Sequence, residues 1–229
     1  LPVSLILLTV VQAKNKDLTH KFSSLKAGCS AATAQRDLDI NNVRTTILNG
    51  GDMWWNLSNA RYEVPKAALG QISKHSLTAG SLWFGGISKG NLRIACQTYR
   101  QSGNDFYPGP LTNSNAFISE QDCKLYDKIW KVTLTDINTF KNTPSQWVSP
   151  PTDFTTWPAM GNTVTGQAKY IAPFVDVNAN GIYEPNIGEH PSFLFNSSVN
   201  IPDMMLYWIY NDKGSIHSET QGLLIGLEC

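Results

Sequence analysis

The sequence has no surplus of either charge. Lys+Arg and Asp+Glu both number 18 in 229 residues, which excludes the basic field that nucleic acid demands and any acidic tail. It lacks an apolar run of about 20 residues, the length a bilayer-spanning helix needs, so no membrane span is expected. Familiar catalytic signatures are missing as well: there is no G-x-S-x-G, H-E-x-x-H, P-loop or dinucleotide fingerprint. His20, His75, His190 and His217 show no zinc spacing, and His217 alternates with Glu219 as on an ordinary strand. Helical periodicity is scarce. One short helix, DINTFK, capped by Thr135, is all the pattern supports.

What the chain does have is turn formers and rings. Seven Trp, eight Tyr, nine Phe, 17 Gly and 12 Pro stand against only 16% charged residues, a composition of short strands around a sizeable core. The expected fold is mainly β, with sandwich-like antiparallel sheets, one short helix and a calcium-type loop. Leu1–Ala13 is an apolar run ending in small residues, with Val11 and Ala13 at the −3 and −1 positions of a signal-peptidase site, so export is expected. Residues 14–36 are polar and small and read as a flexible leader. Residues 37–229 read as a single β-rich domain. The chain reads as a fragment, lacking its start and cut inside an apolar strand at Leu223–Leu227.

Within the domain, Val43–Leu48 is β-rich and ends in the Asn49-Gly50-Gly51 turn. SLWFGGI and NLRIACQTY flank Ser88-Lys89-Gly90 and predict a hairpin. Leu92, Ile94 and Cys96 share one face of its second arm, the face expected in the core. Lys128–Thr133 and Met205–Tyr210 predict further strands. Residues 142–166, rich in Pro, Thr and Gly, predict a surface excursion carrying an exposed Trp147 and Trp157. Trp83, Trp130 and Trp208, in the regular strands, are expected to be buried.

The most readable chemistry lies in YIAPFVDVNANGIYEPNIGEHP, residues 170–191. Asp176, Asn178 and Asn180 alternate and are followed at once by Gly181, the opening half of a calcium loop, D-x-[DN]-x-[DN]-G. A hard cation takes six to eight oxygens. Three side-chain oxygens at spacing two converge only if the backbone curls around the ion, which Gly181 permits. The carbonyl of Ile182 adds a further ligand. Position twelve, normally a bidentate Glu, is Ile187 here, so either Glu184 or Glu189 must close the loop. Pro173, Pro185 and Pro191 exclude flanking helices and set the loop between strands. Structural Ca2+ is therefore the expected cofactor.

Other candidates weigh less. Asp122/Asp127 and Glu184/Glu189 are acid pairs of the kind glycosidases use, provided a cleft holds them about 5–10 Å apart. The aromatics offer rings on which a sugar could stack, although large aromatics of β proteins are mostly core. Cys29, Cys96, Cys123 and Cys229 allow three pairings. A Cys29–Cys123 staple is among them, with Cys96 as a buried thiol.

The blocks NNVRTTILNGGDMWWNLSNARYEVPK, SLWFGGISKGNLRIACQTYRQSGNDFYPGPL, CKLYDKIWKV, QAKYIAPFVDVNANGIYEP and MLYWIYNDKGSIHSETQGLLIGLE resemble the N-terminal region of large secreted Bacteroidota proteins. These carry a C-terminal sorting domain of the type IX secretion system. The resemblance runs from about Asp37 to the end; the sorting domain itself lies outside these residues. It implies secreted or cell-surface placement, passage through the secretion machinery, and downstream β domains of the same polypeptide as partners. It brings no enzymatic activity with it. The functional expectation is a non-catalytic structural or adhesion module stabilised by calcium. The competing expectation is a carbohydrate-binding or carbohydrate-active module that meets surface glycans.

Overall fold

The protein is described by a computed structural model covering residues 28–97, 104–195 and 198–217. The expected signal peptide, residues 14–27 of the leader, and Leu223–Leu227 lie outside the described residues.

The fold is mainly β, and among the described residues every strand pairing is antiparallel. Strands β1 (Gln35–Ile40), β2 (Val43–Leu48), β3 (Asp52–Met53), β4 (Tyr62–Glu63), β5 (His75–Leu77) and β6 (Gly80–Ser81) form one sheet in the order β5-β4-β2-β3-β6. β1 pairs along the whole of β2, from Gln35 opposite Leu48 to Ile40 opposite Val43. β7 (Trp83–Ser88) and β8 (Asn91–Cys96) form the expected hairpin, turned by Lys89 and Gly90 at φ 51° and 76°. β9 (Tyr107–Pro108) follows, then α1 (Glu120–Tyr126), β10 (Trp130–Thr133), α2 (Leu134–Asn142) and α3 (Thr152–Thr155). β11 (Phe174–Val175) and β12 (His190–Pro191) pair with each other, as do β13 (Phe193–Phe195) and β14 (Ser198–Asn200). β15 (Met204–Tyr207) pairs with β10, and β16 (Tyr210–Asn211) with β9.

The expected helix is α2, although its cap is Thr133 rather than Thr135. The Thr133 hydroxyl accepts the Asp136 amide, and the Asp136 carboxylate takes the Thr133 amide in return, a reciprocal capping box. Ile137 and Phe140, three residues apart, then point the same way into the core. α1 and α3 are additional short helices. α1 starts at Ser119, whose hydroxyl accepts the Asp122 amide.

An aromatic core sits between β10, β15, α2 and α3. Trp130 and Val132 alternate inward from β10 and meet Ile137, Phe140, Phe154, Trp157, Ala159, Ala172 and Met205. Trp157 is 4% exposed, which corrects the expectation for residues 142–166. The excursion folds back because Phe154 and Trp157 gain more by burial than the chain loses by ordering. Trp147 is half-buried. Trp83 corrects the opposite expectation, being 67% exposed. Trp130 is buried, while Trp208 is only partly so.

The ordered chain also reaches further back than its composition suggests. Cys29 and Ala32 are buried, and Cys29 is disulfide-bonded to Cys123 with Cα atoms 5.8 Å apart. The Asp127 carboxylate accepts the amides of Thr33 and Ala34, the Thr33 hydroxyl and the Asn49 side-chain amide. Burial alone would raise its pKa. These four donors outweigh burial and hold it below the usual carboxylate value. Among the described residues no helix is long and apolar enough to cross a membrane.

Candidate cation-binding loop

Residues 176–189 span the gap between β11 and β12, whose pairing of Val175 with His190 closes the loop at its base. The loop curls because its side chains bind its own backbone. Asp176 accepts the amides of Asn180 (3.2 Å) and Gly181 (2.7 Å) on its two oxygens. Asn178 Oδ1 accepts the Asn180 amide at 3.0 Å, and Asn180 Oδ1 accepts that of Ile182 at 2.7 Å. Gly181 adopts φ 71°, where other residues are strained, and a Cβ there would lie 2.6 Å from the Tyr170 hydroxyl oxygen, so glycine is favoured. The sequence motif and the geometry agree on a turn wound about Asp176.

The two acids left open by the sequence have different surroundings. Glu184 lies in the side-chain cluster: its Oε2 accepts Asn178 Nδ2 at 3.1 Å and Asn180 Nδ2 at 2.6 Å. Those two bonds fix which way each Asn amide is turned, leaving the Oδ1 atoms on the backbone side. Glu189 is 0% exposed and lies across the loop's neck. Its Oε1 accepts the Val177 amide at 3.0 Å and its Oε2 the Glu184 amide at 2.7 Å. Each Glu189 oxygen thus accepts one amide and retains a lone pair for a further partner. Ile182 has an exposed side chain.

Tyr183 fastens this loop to the aromatic core. Its hydroxyl donates to the Phe154 carbonyl at 2.9 Å, and its ring packs edge-on against Phe174. Burial first, and the Glu189 charge second, push the phenol pKa far up, so it stays a donor throughout the physiological range. Gly188, at φ 96°, lies under the Trp147 ring, where a Cβ would come within 2.7 Å. Beside the loop a groove of about 250 Å³ is lined by Lys141, Trp147, Val177, Ile187 and His190 among others.

Among the described residues, no three His, Cys, Asp or Glu side chains converge as a metal cluster. The oxygens of the loop come instead from three acids, two asparagines and the backbone, which is oxygen chemistry suited to a hard cation. Of the two acid pairs suggested for sugar hydrolysis, Glu184/Glu189 belongs to this loop and Asp122/Asp127 is engaged in local hydrogen bonds elsewhere. Asp122 receives the Ser119 hydroxyl and Asp127 holds residues 33, 34 and 49.

A second cluster escaped the sequence reading. His217 is buried between two buried carboxylates, with Nδ1 3.7 Å from Asp105 Oδ2 and Nε2 3.6 Å from Asp212 Oδ2. Nε2 also lies 2.8 Å from the Asp212 carbonyl. Burial opposes the charged ring. The hydrogen bonds and charge of Asp212, with the charge of Asp105, overcome it and raise the imidazole pKa above its usual value. Asp105 also accepts the Cys96 amide. With all three side chains at 0% exposure there is no access for a substrate, so the cluster is an internal charge network. No local motif announces it, because Asp105 and His217 come together only through the β9–β16 pairing.

No family model, curated protein or solved structure matches this chain.

Proposed function

We propose that the 176–189 loop binds Ca2+ and that the ion stabilises a non-catalytic secreted or cell-surface module, of structural or adhesive role, joined to downstream domains. The observation that carries the calcium reading is Glu189. A carboxylate with no exposure is costly unless a charge or metal answers it. Among the described residues no Lys, Arg or His lies within ion-pair distance of Asp176, Glu184 or Glu189. In this reading Asp176, Asn178 and Asn180 offer side-chain oxygens, Ile182 its carbonyl, and Glu189 closes the shell. Glu184 sits outside and orients the two Asn amides.

A second reading, glycan binding, is favoured by one observation: Trp83 is exposed, and its indole N–H is held 3.1 Å from both Ser81 Oγ and the Gln97 carbonyl. The side chains that share its face, Ile87, Leu92, Ile94 and Cys96, bring no group suited to sugar hydroxyls. The structural reading therefore stands first.

The test is thermal unfolding with and without chelator at fixed ionic strength. A site with Kd of about 10⁻⁴–10⁻³ M, as in extracellular modules, adds roughly 0.4–1.4 kcal/mol at about 1 mM calcium. Asp176→Ala and Glu189→Gln should abolish that increment. Glu184→Gln should only reduce it. A melting temperature indifferent to chelation sinks the proposal.

A further inference from the structure

The groove beside the 176–189 loop is assembled from separate parts of the chain. Val175 and His190 are opposed in the β11–β12 pair, so their side chains leave the ladder on the same side. Ile187 and Ile201 extend this wall. Trp147 forms another, and its indole N–H donates to the Phe140 carbonyl at 2.8 Å, which fixes the ring before anything binds. Lys141, exposed in the last turn of α2, stands at the rim.

Two polar groups interrupt these apolar walls, and each lacks a partner of its own. Among the described residues no carboxylate lies within ion-pair distance of Lys141. A cation beside a low-dielectric wall attracts an anion more strongly than one in open water. His190 is buried, and its Nδ1 lies 3.0 Å from the Pro191 carbonyl. That oxygen can only accept, so Nδ1 carries the proton. With no acid in ion-pair distance the ring is neutral, and its Nε2 is an acceptor. Nε2 has no partner among the described residues and is not fully enclosed, so it is the polar atom the ring offers to the groove.

Size and polarity together select the occupant. At about 250 Å³ the groove is smaller than the roughly 300–1,000 Å³ of sites for drug-sized ligands, which suits a single ring. A sugar brings several hydroxyls to walls that can answer two polar groups, and burying the rest without partners is costly. An aliphatic carboxylate, such as a peptide C-terminus, answers Lys141 but brings no donor for Nε2.

We infer that this groove binds a small aromatic acid bearing a hydroxyl. The ring lies between Trp147 and the aliphatic wall, the carboxylate pairs with Lys141, and the hydroxyl donates to His190 Nε2. Calorimetric titration of the intact chain with 4-hydroxyphenylacetate tests this, alongside phenylacetate, glucuronate and N-acetyl-leucine. The hydroxylated acid should bind several-fold more tightly than each of the other three. Lys141→Met, a change at an exposed position, should weaken its binding several-fold. On binding, the indole N–H resonance of Trp147, assigned through Trp147→Phe, should shift while that of Trp83 stays in place. Absence of binding at millimolar ligand overturns the inference, as does binding indifferent to Lys141→Met. Equal affinity for phenylacetate removes the role of His190, and tighter binding of glucuronate or N-acetyl-leucine makes the site one for an acidic sugar or a peptide end; either result also overturns it.

Discussion

Around Trp130 the buried neighbours are carbon: Val132, Ile137, Phe140, Phe154, Trp157 and Met205. Around His217 they are oxygen and nitrogen: Asp105 and Asp212 flank the ring, and the neighbouring Asn211 donates its side-chain amide to the carbonyls of Tyr107, Pro108 and Gly109. Gln97, also fully buried, has neither side-chain polar atom hydrogen-bonded. The first region is held by volume and area, quantities that tolerate a change of pH. The second is held by partners, and an unpartnered buried polar group costs about 1–3 kcal/mol. The one chain thus contains a region sensitive to cavities and a region sensitive to protons.

The comparison breaks most visibly in the aromatic core. Phe140→Ala should cost about 3–5 kcal/mol in denaturant unfolding, because Phe140 is fully buried against Trp147 and Phe154. That loss should be the same at pH 6 and pH 8. A cost below about 1 kcal/mol would mean that the core lies elsewhere.

The staple is next. Removing the Cys29–Cys123 bond by Cys→Ala at both positions should cost roughly 2–4 kcal/mol, since it frees a loop of 94 residues in the unfolded chain.

Protons sharpen the contrast between the two buried histidines. The folded pKa of His217 is raised, so its contribution is complete below the unfolded value of about 6.5 and is lost as pH climbs through the folded value. His190 is the reverse case. Burial, followed by the Lys141 charge, lowers its pKa against one hydrogen bond to the Pro191 carbonyl. Its contribution is complete above about 6.5 and is lost as pH falls towards the folded value. Stability profiles of His217→Gln and His190→Gln should therefore depart from the unaltered protein with opposite slopes. Parallel profiles would show that the two environments are alike.

The smallest effect expected is at Gly188, where alanine must take φ 96° and displace the Trp147 ring. About 1–2 kcal/mol is expected in thermal unfolding, with part of the calcium increment lost as the loop shifts.

Local chemistry was legible in the sequence, and long-range choice was not. Val43–Leu48, the Lys89-Gly90 turn, the α2 segment and the winding of residues 176–182 follow from signals a few residues wide. The hairpin faces show where that stops. Period-two alternation separates Leu92, Ile94 and Cys96 from Arg93 and Ala95, and the more apolar set was expected inside. Phe106 decides otherwise, because it packs against Phe84 on the opposite face. Trp157 was expected outside for the same reason: its neighbours in sequence are turn formers, while its neighbours in space are Trp130 and Tyr207. The different surroundings of Glu184 and Glu189 also needed three dimensions, since both follow Asp176 in the same loop and only Glu189 is buried.

The Cys29–Cys123 bond also has a mechanical meaning. Tension entering the chain ahead of Cys29 passes through sulfur directly to α1 and bypasses β1 to β9. The sheet around β2 is then not in the line of force, and only residues beyond Cys123 can be drawn out. The 94-residue separation conceals about 300 Å of contour length at 3.3–3.6 Å per residue. Pulled from its ends, the oxidised chain should extend shorter than the reduced chain by about that amount, with the first strands reeling out only after reduction. The bond is a force shunt, engaged while the two sulfurs are oxidised and released on their reduction.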